Sequence, residues 1–92
     1  MTPQEHIEIL RLQAARLEEI LPAHRECLAT ALRLRAIGGY VTPEAAEHAV
    51  NAGVAAVNRT RQRIAEIEAQ RAAEIKRAKE QQPEATPAGA GE

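Results

Sequence analysis

The sequence predicts an all-α protein, a long antiparallel two-helix hairpin that packs like a coiled coil. Apolar residues recur every three or four positions over two long stretches, which is the spacing of one helical face. A Thr-Pro pair opens each stretch, and a glycine pair separates them. We therefore expect one hairpin domain over residues 1–80, with helices at 3–37 and 43–80 and a turn at 38–42.

The first predicted helix begins with a capping box in which Thr2 is the N-cap, Pro3 the first helical residue and Glu5 the third. Pro22 removes one backbone hydrogen bond from this helix. The apolar positions keep the same phase before and after it, so we expect one helix with a kink near Pro22. The apolar face consists of Ile7, Leu10, Ala14, Leu17, Leu21, Leu28 and Ala31.

The second predicted helix starts after the N-cap Thr42 and carries its own apolar or small face. A short turn places the two helices antiparallel. We expect residues whose numbers add up to 81 to face each other, so that Leu28 packs against Gly53. At the open end Leu10 faces Arg71, so we expect a mixed contact that frays. The second face consists of Ala46, Val50, Gly53, Val57, Thr60, Ile64 and Ile67.

The last residues, 81–92, combine Pro, Gly and Ala without a large apolar side chain, which predicts a disordered tail. The formal net charge of −1 gives no overall field toward nucleic acid or an anionic membrane. No apolar run is long enough for a membrane span, and no signal peptide is evident, so we expect a cytoplasmic protein with no membrane partner. Arg outnumbers Lys, and Ser and Asp are absent, which indicates a GC-rich coding sequence of a bacterium or a phage.

The first helix has a wider apolar band than one neighbouring helix covers. We expect the hairpin to be completed as a four-helix bundle, either by dimerisation or by a different protein. Tyr40, the single aromatic residue, either packs on Ile37 or Val41 in the turn or anchors the partner. The candidate partner-binding residues are Leu12, Ile20, Cys27, Leu34 and Tyr40.

An alternative function is suggested by Arg59, Arg61 and Arg63, which would make the protein a homodimeric helical-bundle regulator that binds nucleic acid. On a helix these three residues spread over more than one face, and no aromatic residue lies near them to stack on bases. Glutamates such as Glu66 and Glu68 neutralise the same stretch. A solvated face with intrahelical ion pairs is therefore the favoured interpretation.

We expect no catalysis, no cofactor and no metal. Ser, Asp, phosphate-binding loops and zinc-protease spacings are all missing. His24 and Cys27 lie one turn apart, and two copies could in principle supply four zinc ligands, but one such pair is a weak signal. We expect His24 to bond to Thr60 or to a carbonyl freed by Pro22, and Cys27 to pack as a small apolar residue.

The function predicted first is therefore a non-enzymatic protein–protein interaction module. It would act as an adaptor, an assembly or chaperone-like factor, or a phage-encoded inhibitor of a host protein. Its partner would be another protein or a second copy of itself. Catalysis at a helical dimer interface would require a pocket with converging charged groups.

Overall fold

Two long α-helices make up residues 1–81, the part of the chain that the computed structural model describes. They are α1 (Pro3–Ala36) and α2 (Pro43–Glu80). Together they form a rod with extents of 74 × 19 × 15 Å, and no strand occurs among the described residues. The predicted all-α hairpin is confirmed for this part of the chain. The tail predicted to be disordered lies, from residue 82 onward, outside the described residues.

Threonine side chains cap the start of both helices. Thr2 Oγ1 accepts a hydrogen bond from the Glu5 backbone N–H at 3.1 Å, and the Glu5 carboxylate accepts one from the Thr2 N–H at 2.8 Å. Thr42 Oγ1 accepts from the Ala45 N–H at 3.0 Å. These bonds satisfy donors that the first turn of a helix leaves unpaired, which explains why each helix begins at a Thr-Pro pair.

The glycine pair ends α1 in a Schellman motif. Gly38 has a φ of +69°, its N–H donates to the Arg35 carbonyl at 3.3 Å, and the Gly39 N–H donates to the Leu34 carbonyl at 2.8 Å. Ile37 is the C-cap, so α1 ends one residue before the predicted boundary. Upstream, α1 continues as a single helix through Pro22, whose ring is exposed.

The contact between the helices follows the predicted apolar faces. A Cβ atom added to Gly53 would lie 3.1–3.2 Å from the Leu28 side chain and Cα, so the two backbones approach closely there. This pair fits the register in which facing positions sum to 81. The buried residues are Leu10, Ala14, Ala31, Ala46, Val50, Val57, Thr60, Ile64 and Ile67.

The best-packed part of this contact lies toward the open end of the hairpin. Leu10, Ala14 and Ile67 form a buried cluster, and Ile67 is only 2% exposed. Leu10 is 4% exposed, so its contact is buried, whereas the expected fraying of the open end stays a prediction. Arg71, which faces Leu10 in this register, is half-buried, and its Nε is shielded from solvent without a hydrogen-bond partner among residues 1–81.

Candidate protein-interaction surface

One flank of α1 exposes three large aliphatic side chains. Ile9 is 38% exposed, Leu12 is 52% exposed and Ile20 is 39% exposed. Ile9 and Leu12 are three residues apart, and Leu12 and Ile20 are eight apart. At 100° per residue, all three side chains lie on one side of the helix. We call this region the flank surface, and it consists of Ile9, Leu12, Gln13, Arg16, Glu19 and Ile20.

Two shallow grooves cross the flank surface and merge. The first has a volume of about 450 Å³ and is formed by α1 alone, from Ile9 to Glu19. The second, of about 330 Å³, lies between the helices, with Leu17, Ile20 and Ile67 among its lining residues. Gln13 and Arg16 line both grooves, so the surface is continuous across the edge of the hairpin.

Some of the charged groups around these grooves form ion pairs within residues 1–81 and others do not. Arg63, at the rim of the second groove, contacts Glu66 at 3.5 Å. Arg16 and Glu19, in the first groove, form no ion pair with any residue in the described part of the chain. An aliphatic floor with a polar, charged rim is the composition of protein interfaces.

Beside the flank surface, Glu8 and Arg11 satisfy each other. The Arg11 guanidinium donates two hydrogen bonds to the Glu8 carboxylate, one from Nε to Oε1 at 3.0 Å. These hydrogen bonds, more than the charge of Arg11, hold the pKa of Glu8 below its ordinary value, against the opposing effect of desolvation. The same hydrogen bonds raise the pKa of Arg11. This pair needs no charge from a partner.

Cys27 and Leu34, two of the predicted contact residues, lie apart from the grooves. The Cys27 thiol is free and exposed on α1, and its expected packing at the flank of a larger bundle stays a prediction. Leu34 is half-buried, and its Cδ2 lies 2.9 Å from the position that a Cβ on Gly39 would occupy. Leu34 therefore packs beneath the returning turn, which removes it from the flank surface.

Tyr40 is half-buried against the turn and does not project from it. It lines a cavity of about 340 Å³ whose other walls include Arg35 and Glu47, which contact each other at 3.8 Å across the hairpin. The exposed apolar residues of the tip are instead Ile37, at 77%, and Val41, at 97%. Ile37 and Val41 were predicted only as packing partners for Tyr40, and their exposure follows from the end of α1 at Ala36, which leaves both residues in the turn.

The three arginines of the alternative function are all exposed on α2. Arg59, Arg61 and Arg63 follow each other at intervals of two residues, which turns successive side chains by about 200° around the helix. Arg63 borders the second groove and pairs with Glu66. The structure therefore does not bring the three guanidinium groups onto one face.

His24 is half-buried on the inner face, and within residues 1–81 its side chain makes neither of the two expected hydrogen bonds, to Thr60 or to a backbone carbonyl. Within residues 1–81, no group of three His, Cys, Asp or Glu side chains is placed to hold a metal ion.

Neither α1 nor α2 combines the length and the apolar character that a membrane crossing requires. Compared with protein-family models, with curated proteins and with solved structures, the chain matches none of them.

Proposed function

We propose that this protein is a non-enzymatic interaction module that presents its flank surface to another protein chain. In that role it serves as an adaptor, an assembly or chaperone-like factor, or an inhibitor of the protein it binds. The proposal rests on one observation: Ile9, Leu12 and Ile20 are exposed on one side of α1, along two grooves that share Gln13 and Arg16.

Burial of these side chains favours such a complex energetically. Each Leu or Ile that leaves water contributes roughly 1.5 to 3 kcal/mol. A domain of this size is stabilised by only about 5 to 15 kcal/mol in total, so the aliphatic residues of the flank surface are a large potential gain. One or two helices of a partner laid along the grooves would complete a four-helix bundle or a related helical assembly.

Nucleic-acid binding through Arg59, Arg61 and Arg63 is the weaker candidate. Arg61 lies on the opposite side of α2 from Arg59 and Arg63, and Arg63 is already engaged by Glu66. Glu66 and Glu68 follow the three arginines within about one turn of the same helix and oppose a positive stripe along it.

Affinity capture from the source cell tests the proposal. Bait proteins are the wild type, Leu12→Glu, Ile20→Glu and the control Val54→Glu. Val54 is 41% exposed, similar to Ile20, and lines neither groove. We expect a bound protein with the wild type and with Val54→Glu, and at least about a tenfold loss with either flank variant, since each buries a charge at an apolar contact.

Circular dichroism of the four baits provides the folding control, because all of the exchanged residues are exposed. A bound protein that both flank variants retain in full would contradict the proposal. So would a loss that is equally large with Val54→Glu, because the binding would then depend on general surface properties.

A further inference from the structure

Arg16 and Glu19 lie in the first groove with opposite charges, and neither forms an ion pair within residues 1–81. They have the same order and spacing as Arg63 and Glu66, which do contact each other, at 3.5 Å. Both residues lie among aliphatic side chains, where a charge gains most from an external partner of opposite sign. A surface that covers the groove and pairs with both residues would offer one anion and one cation.

This surface is complementary to itself. A two-fold axis perpendicular to α1 between residues 17 and 18 would bring Arg16 of one copy opposite Glu19 of the other, and the reverse pair would form at the same time. The same axis places Leu12 opposite Ala23 of the second copy, again twice. Ala23 is exposed and lies seven residues from Arg16, on the same side of α1, so a large side chain would meet a small one.

We propose that the occupant of the flank surface is a second copy of this chain. Its α1 packs antiparallel against the first α1, and residues that face each other have numbers that add up to 35, as Arg16 and Glu19 do. The inference rests on the proposed function, because it names the partner of that same surface. A partner that offered charges of a single sign would leave either Arg16 or Glu19 unmatched, whereas a second copy matches both. The formal net charge of −1 adds little repulsion between copies.

Sedimentation equilibrium of the full chain, from about 10 μM to about 1 mM, tests this arrangement. We expect a monomer–dimer equilibrium for the wild type and for the control Val54→Glu, and a monomer for Leu12→Glu. Arg16→Glu and Glu19→Arg should each raise the dimer dissociation constant by at least about tenfold, because each places like charges together twice in one interface. The double exchange, R16E with E19R, should restore it to within about threefold of the wild type.

A wild type that stays monomeric at about 1 mM would overturn the inference. A double exchange that is as weak as the single variants would overturn it too, because the two residues would not face each other. If Leu12→Glu unfolds, the charge exchanges decide the matter alone. A monomeric wild type whose captured protein is still lost with Ile20→Glu would leave the proposed function standing and remove only the second copy as its partner.

Discussion

At the scale of single residues, the Glu8–Arg11 pair shows what a surface contact does to titration. Two hydrogen bonds from Arg11 lower the pKa of Glu8 in the folded chain, and the charges of Arg11 and Arg71 add to the effect. In the unfolded chain, the pKa of Glu8 has its ordinary value. The pair therefore stabilises the fold at pH values above that ordinary value, and this contribution is lost as the pH falls through the lowered pKa of the folded state.

Replacing Arg11 isolates this effect. In Arg11→Gln, we expect the pKa of Glu8 to rise toward its ordinary value, because the charged hydrogen-bond donor is gone. Side-chain carboxyl shifts in an NMR pH titration measure it directly. Arg25→Gln is the control on the same helix and should leave Glu8 unchanged. A pKa that stays low in Arg11→Gln would show that another group causes the shift.

The fate of Leu34 and Tyr40 shows where residue-level prediction from the sequence stops. Leu34 is spaced by seven residues from Cys27 and by fourteen from Ile20, so helical phase alone assigns all three to one flank. The Schellman motif returns the chain over Leu34, and Tyr40 turns into the cavity beside the cap. Helical phase is a local property, whereas this fold-back depends on the backbone at Gly38 and Gly39.

At the scale of elements, the close approach of α1 and α2 depends on Gly53. Its missing side chain lets Leu28 pack against the α2 backbone, since an added Cβ would lie at 3.1–3.2 Å from Leu28 atoms. Helix propensity works in the opposite direction, because Gly is about 1 kcal/mol worse than Ala in a helix interior. Packing and propensity therefore predict opposite signs for a large substitution at this position.

We expect Gly53→Leu to lower the free energy of unfolding by about 1 to 3 kcal/mol, because an overpacked contact outweighs the gain in propensity. Urea denaturation followed by circular dichroism measures the change. Ala52→Leu is the matched control, since Ala52 is exposed and adjacent, and it should change stability by less than about 0.5 kcal/mol. If Gly53→Leu raises the free energy of unfolding instead, the helices can move apart near residue 53 at little cost.

Element boundaries are well predicted because local chemistry determines them. Thr2 and Thr42 cap the helices that the Thr-Pro pairs predict, and Gly38 takes the positive φ that its position predicts. The end of α1 differs by one residue, because Ile37 serves as the C-cap of the motif. The flank surface was predictable only in part: helical spacing identifies Leu12 and Ile20, but not the grooves that join them to Arg63 on the other helix.

At the scale of the whole molecule, the rod is too thin to enclose a core. With extents of 74 × 19 × 15 Å, each level of α1 packs only against the level of α2 that faces it. Stability in such a structure is close to a sum of local contributions, as it is in repeat proteins, and separate parts can open independently. The buried cluster of Leu10, Ala14 and Ile67 lies in the half of the rod away from the turn.

This architecture predicts regional effects of core substitutions. Ile67→Ala should cost about 2 to 5 kcal/mol, because Ile67 is the most deeply buried side chain among the described residues. In native-state hydrogen exchange, we expect it to accelerate exchange in the N-terminal half of α1 and the C-terminal half of α2. Val50→Ala, beside the turn, should instead accelerate exchange in the opposite halves. If both variants accelerate exchange equally along the whole rod, the hairpin opens as one cooperative unit, and its ends are coupled more strongly than their separation implies.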